Sequence, residues 1–269
     1  MDISCIESDG ARIAVETTGA GPLVVCVPGM GDLRSSYRFL TPQLVAAGYR
    51  VATFDLRGHG DSSDDFSSFD DEAAARDILA VVDALGGGPA IVVGTSMGAG
   101  AAVIAAARRP EAVAGMALLG AFVRNPTTNP AAAAALRLAL LPPWGRMVWR
   151  AYFRSLFPGR KPDDFAEQEA RMTAEFRRGS HWRSFRRTAQ TTHAPAEAAL
   201  PAVTAPALVV MGTKDPDWKD PSAEGRWIAD RLGAQLLLVD GAGHYPATEE
   251  PDTVGPAVVA FARQVVPVA

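Results

Sequence analysis

The stretch Pro89-Ala90-Ile91-Val92-Val93-Gly94-Thr95-Ser96-Met97-Gly98-Ala99-Gly100 constrains the fold of this chain more than any other. Ala90 to Val93 is a short apolar run of the kind a buried strand uses, and Ala99 to Arg109 is an alanine-rich helical run stopped by Pro110. Gly94-Thr95-Ser96-Met97-Gly98 joins the two. A strand and a helix that meet so abruptly leave no room for side chains two residues before and two after the serine, and glycine stands at both places. The Ser96 hydroxyl is then expected beyond the carboxyl end of the strand with a helix N-terminus beneath it, the situation of a nucleophile.

Strands and helices alternate around this elbow. Asp2 to Glu7 and Ala11 to Thr17 read as strands joined by an Asp9-Gly10 hairpin turn. Leu23 to Val27 is continuously apolar, as in a strand buried on both faces, and ends in Pro28-Gly29-Met30-Gly31-Asp32. A helix is expected over Tyr37 to Ala47 with Gly48 as its C-cap, then a strand over Tyr49 to Phe54 and a helix over Asp70 to Leu85 stopped by Gly86-Gly87-Gly88. Val113 to Leu119 is the strand after the elbow helix. Ala207 to Met211, Ala223 to Leu232, Gln235 to Val239 and Asp252 to Val265 continue as strand, helix, strand and helix. Such alternation predicts an α/β fold, a mostly parallel sheet with helices on both faces.

Between Val113–Leu119 and Ala207 the pattern changes. A break at Pro126-Thr127-Thr128-Asn129-Pro130 precedes helical runs Ala131 to Leu141, Trp144 to Leu156, Asp163 to Arg178 and Ser180 to Thr192, the last stopped before Pro195. Asp163-Asp164 and Arg177-Arg178 suit the first and last turns of the third run. Residues 122–200 therefore read as a helical cap inserted into a core of 1–121 and 201–269. The length of 269 residues suits one such large domain.

Composition narrows the rest. A net charge of −4 argues against nucleic-acid binding. Cys5 and Cys26 make no disulfide framework, and Cys26 sits in an apolar run as a small core residue. No window is apolar enough to span a membrane and the first residues lack a signal pattern, so a cytoplasmic protein is expected. No phosphate loop and no Cys/His cluster at zinc spacing occurs, so neither metal nor organic cofactor is expected. The sequence assigns no oligomeric state.

The elbow, the Pro28-Gly29-Met30-Gly31 loop, the Asp55-Leu56-Arg57-Gly58-His59-Gly60 turn, Gly212-Thr213-Lys214-Asp215 and Gly241-Ala242-Gly243-His244 together resemble the α/β-hydrolase family, in its esterase, lipase and cofactor-free perhydrolase branches. The first loop departs from the His-Gly start common in that family. Ser96 stands where members that cleave carbon–halogen bonds or epoxides carry Asp, which disfavours those reactions. The family order of Ser, acid, His implies Ser96 as nucleophile, Asp215 as acid and His244 as general base. Asp217 and Asp220 are rivals for the acid, read otherwise as solvated loop carboxylates. His59 reads as structural, His181 and His193 as surface or cap-packing residues. The resemblance also implies an oxyanion hole from the N–H groups of Met30 and Met97.

The expected reaction is acyl transfer to water on a small to medium apolar ester or related acyl compound. Phe122, Trp144, Trp149, Phe153, Trp182 and Tyr245 are candidate pocket residues, with at least half of the cap aromatics expected to glue cap helices together. Charged and polymeric esters are expected to be poor substrates. Three alternatives stand beside this reading: a cofactor-free perhydrolase of haloperoxidase type, a small-molecule receptor with vestigial hydrolysis, and a lyase or isomerase using the same pocket. Residues 122–200 hold 13 Arg or Lys against 6 Asp or Glu, a basic excess that could steer anionic substrates or simply face solvent.

Overall fold

The computed structural model describes residues 2–86, 88–126 and 130–268. Part of the expected break, 127–129, and Gly87 of the glycine run lie outside them. In chain order the elements are β1 (Asp2–Ser8), β2 (Ala11–Thr18), β3 (Leu23–Val27), α1 (Leu40–Ala46), β4 (Arg50–Phe54), α2 (Asp71–Leu85), β5 (Ala90–Thr95), α3 (Met97–Arg108) and β6 (Val113–Leu119). The helices α4 (Pro130–Ala139), α5 (Gly145–Ser155), α6 (Phe165–Glu175), α7 (His181–Thr188) and α8 (Ala194–Ala199) follow. The chain then closes with β7 (Ala207–Gly212), α9 (Pro221–Leu232), β8 (Gln235–Val239), α10 (Pro246–Glu249) and α11 (Pro251–Val265).

The strands form one sheet in the order β1-β2-β4-β3-β5-β6-β7-β8. β1 and β2 are antiparallel to their neighbours, and every other pair is parallel. Asp9 and Gly10 both take positive φ, as the tight β1–β2 turn requires. β3, β5 and β7 are buried along their whole length because helices cover both faces. One face packs on α2, α3 and α9, the other on α1 and α11, giving two apolar layers. A third apolar cluster, Trp149, Phe153, Phe157, Trp182, Phe185 and neighbours, holds the inserted helices together.

Several local expectations shift. The helix expected over Tyr37 to Ala47 starts later: Tyr37 ends a 3₁₀ turn, Arg34–Tyr37, with its hydroxyl bonded to Val27 O beneath the sheet's end, and α1 begins only at Leu40. The fourth inserted run stops at Thr188, and a separate α8 begins at Ala194. Pro195, read as a stop, stands in the first turn of α8, where its missing N–H costs no bond. Asp163 and Asp164 precede α6 rather than filling its first turn. Asp164 is instead engaged by the Arg38 guanidinium, with Arg38 Nη2 2.6 Å from its Oδ1.

Candidate active site

Ser96 occupies the turn between β5 and α3 with φ 55 and ψ −121, a strained conformation for a residue with a Cβ. The steric reason is visible at its flanks. A Cβ on Gly94 would come within 2.3 Å of the Gly98 carbonyl oxygen, and one on Gly98 within 2.3 Å of the Val27 oxygen. Tyr37 ties the strand ends below: its hydroxyl lies 2.6 Å from Val27 O, 3.0 Å from Val93 O and 2.9 Å from Thr95 Oγ1.

The loop after β3 approaches the same place, so that a Cβ on Gly29 would stand 2.9 Å from Ser96 Cβ. Neither the Met30 nor the Met97 N–H donates to an acceptor among the described residues, so both remain available. His59 holds this loop. Its Nε2 accepts the Gly31 N–H at 3.2 Å while Nδ1–H donates to Arg57 O at 2.9 Å, which fixes the tautomer. Burial drives His59 down to about 4, so it stays neutral and remains an acceptor.

Asp215 and His244 come together from the ends of β7 and β8. Asp215 Oδ2 lies 2.8 Å from His244 Nδ1, and both side chains are buried. Nδ1–H donates to the carboxylate, which leaves Nε2 as the free acceptor. Burial alone would push His244 down, but the Asp215, Asp217 and Asp32 carboxylates outweigh it and raise the group to about 9. Ser96 and His244 line one cavity of about 800 Å³ together with Met30 and Met97. No direct hydrogen bond joins Ser96 Oγ to His244 among the described residues.

Of the two rival acids, Asp220 is exposed, as expected, and caps α9, accepting the Ala223 N–H at 2.9 Å, whereas Asp217 is not a solvated loop carboxylate, which corrects that expectation. Asp217 is half-buried in the cavity wall, accepts the Tyr152 hydroxyl, and sets Oδ2 3.4 Å from His244 Nδ1. Asp215, Asp217 and His244 bring donor atoms within 4.8 Å of one another, a spacing that could hold a cation. Both carboxylates address one ring nitrogen, so a cation there would replace the proton that Asp215 accepts.

Of the six candidate pocket residues, Phe122, Trp149 and Tyr245 line the cavity. Phe153 and Trp182 do not; they are buried in the aromatic cluster of the inserted helices. Trp144 does not either, being 49% exposed on the surface. His193, read as surface or cap packing, lines the cavity, and its Nδ1 lies 2.8 Å from Asp71 Oδ2, a carboxylate with no exposure. The Phe122 ring packs against both imidazoles, 5.2 Å from His193 and 5.7 Å from His244. A lone His among polar residues gave no signal of this; the partner lies more than a hundred residues away.

The inserted helices grip the histidine loop. The His244 N–H donates to Leu156 O at 2.9 Å, and Glu249 accepts the Gly243 N–H at 2.8 Å and the Gly159 N–H at 3.2 Å. Burial raises Glu249 to about 7.

Residues 24–257 match the model of the Alpha/beta hydrolase family. Over 266 residues the chain is 28% identical to a probable esterase of Oryza sativa subsp. japonica, spanning 94% of this chain and 96% of that protein. The esterase EaEST from Exiguobacterium antarcticum superposes with a TM-score of 0.85 at 21% identity, over 97% of this chain and 99% of that one. Bromoperoxidase from Bacillus anthracis does so with a TM-score of 0.82 at 18% identity, over 97% and 100%. These two likenesses speak for the fold. No helix among the described residues is long and apolar enough to cross a membrane. With the family model spanning most of its length, the chain belongs to the alpha/beta hydrolase family.

Proposed function

We propose that the protein is a serine esterase acting on a small-molecule carboxylic ester with an apolar acyl body, through Ser96, His244 and Asp215. One observation carries the reading: Ser96, strained at the β5–α3 turn, lines the same cavity as a His244 whose Nδ1 is held by the buried Asp215. In the first step His244 Nε2 takes the Ser96 proton as Oγ bonds to the ester carbon, and the oxyanion is held by the Met30 and Met97 N–H groups. The carbon–alkoxy bond then breaks, the leaving oxygen takes the proton from His244, and an acyl-enzyme remains. Water repeats the sequence, giving its proton to His244 and releasing the acid as Ser96 Oγ is reprotonated. Asp215 holds the tautomer and stabilises the imidazolium throughout. In this reading residues 122–200 act as a cap over a core of 1–121 and 201–269, with Phe122, Trp149 and Tyr245 in the pocket wall.

Intact-mass labelling with a fluorophosphonate, coupled to 4-nitrophenyl esters of graded chain length, tests this. One adduct in wild type, none in Ser96→Ala, and turnover of short to medium esters is the expected result. Near-wild-type turnover by Ser96→Ala would overturn it. The panel run with hydrogen peroxide tests the perhydrolase alternative, for which peracid rather than acid would be the main product.

A further inference from the structure

Part of the basic set of residues 122–200 is engaged by partners within the protein. Arg124, Arg150, Arg154, Arg171 and Arg178 pair with carboxylates. Arg187 donates to Phe66 O and Ser67 O and lies over the Phe69 ring, 4.3 Å from its centroid. Two guanidiniums line the cavity over Ser96: Arg137, exposed on α4, and Arg186, which is half-buried on α7 and has no carboxylate partner among the described residues. Asp217, the carboxylate in the cavity wall, is taken by Tyr152 and His244.

The surroundings of Arg186 sharpen the point. Gln190 and His193 line the cavity from the same segment, and His193 is fixed through Nδ1 by the buried Asp71, leaving Nε2 for a ligand. Leu138, Leu140, Leu141 and Leu156 supply apolar lining. A neutral ester that expelled water from such a cavity would leave the guanidinium desolvated and unpaired, which is costly. A carboxylate meets it with two parallel charge-assisted hydrogen bonds, the geometry a guanidinium fork is built for.

We propose that the substrate's apolar body carries a carboxylate remote from the scissile ester, and that Arg186 recognises it. This rests on the reading of the cavity over Ser96 as the substrate site. It also reverses the sequence-based expectation that charged esters are poor substrates: the leucine lining takes the body and Arg186 takes its end.

The test compares the 4-nitrophenyl half-ester of adipic acid with 4-nitrophenyl hexanoate, which share an acyl length and differ by one carboxylate. The ratio of their kcat/KM values is expected to fall about 10- to 100-fold in Arg186→Gln. Arg186→Lys should restore part of it. Arg183→Gln, exposed on the same helix and outside the lining, should leave the ratio unchanged. An unchanged ratio in Arg186→Gln, or an equal fall in Arg183→Gln, overturns the proposal. A second arm needs no turnover: calorimetric binding of monomethyl adipate against methyl hexanoate in Ser96→Ala, with and without Arg186→Gln. A preference for the anion that disappears with Arg186→Gln supports the site even where the wild type hydrolyses neither ester, an outcome that would remove the serine mechanism alone. Absence of any preference overturns the anion site.

Discussion

Asp217 sets Oδ2 3.4 Å from His244 Nδ1, the same nitrogen that Asp215 Oδ2 meets at 2.8 Å. Two carboxylates thus face one imidazole that has little water to screen it. Burial pushes that imidazole down, but the joint field of the two carboxylates, with Asp32, overcomes it and holds His244 up to about 9. A general base must be neutral, so under the proposed mechanism kcat/KM should rise with pH, with its midpoint near pH 9, and level off only above it. Asp217→Asn removes one carboxylate and should move that midpoint to lower pH, raising relative activity at pH 7. A pH–rate profile of the two proteins measures it, and an unmoved midpoint would leave Asp217 without electrostatic influence on the base. The sign for stability is the opposite one: a raised imidazolium contributes stability that is full below its unfolded value of about 6.5 and fades as pH climbs through about 9.

His59 should prove a positioning residue. Its Nε2 accepts the N–H of Gly31, next to Met30, so His59→Phe leaves that donor without a partner and frees the loop. We expect kcat to fall on the order of 10- to 100-fold with KM little changed, since a shift of the loop spoils oxyanion contacts more than ground-state binding. His59 is depressed to about 4, so its contribution to stability is full above about pH 6.5 and is lost as pH falls through about 4. Denaturant titrations between pH 4 and 7 should show a flatter acid slope in His59→Phe; an identical slope would contradict the assignment.

Arg57 should matter for stability alone. It is 3% exposed, with Nε and Nη2 each 2.7 Å from the two oxygens of Asp77, which has no exposure. Arg57→Met strands that carboxylate and should cost about 3–5 kcal/mol. The double variant Arg57→Met, Asp77→Leu should recover much of the loss, which urea unfolding of the three variants measures. Additive losses in the double variant would refute coupling.

Tyr37→Phe should cost about 1–3 kcal/mol, because Val27 O and Val93 O accept its hydroxyl beneath the elbow. Thermal unfolding reads this directly. A change below the noise of that measurement would mean that the two carbonyls find other donors.

How much of this was legible in the sequence depends on the distance over which each signal acts. The elbow, the parallel alternation and the strand Leu23–Val27 were readable because their causes are local: glycine at fixed offsets, continuous apolar runs, a proline stop. The insertion's helices were readable from periodicity, yet α8 was missed because Pro195 acts alike as a stop and as a first-turn residue. What sequence could not supply were pairings across the fold. Asp217 reads as one more loop carboxylate until β7, β8 and α5 bring Tyr152 and His244 to it. Asp71 and His193, or Gly159 and Glu249, meet only because the insertion folds back over the sheet's end. Of three pocket aromatics that fell elsewhere, Phe153 and Trp182 were needed to hold the inserted helices together.

The grip of the inserted helices on the histidine loop has a mechanical consequence. Leu156 O and the Gly159 N–H are fastened to the very backbone that carries Gly243 and His244. That corner is a splint: a displacement of Leu156 or Gly159 is carried straight into the backbone that aims the imidazole, so packing changes in the turn after α5 are felt at the base without touching it.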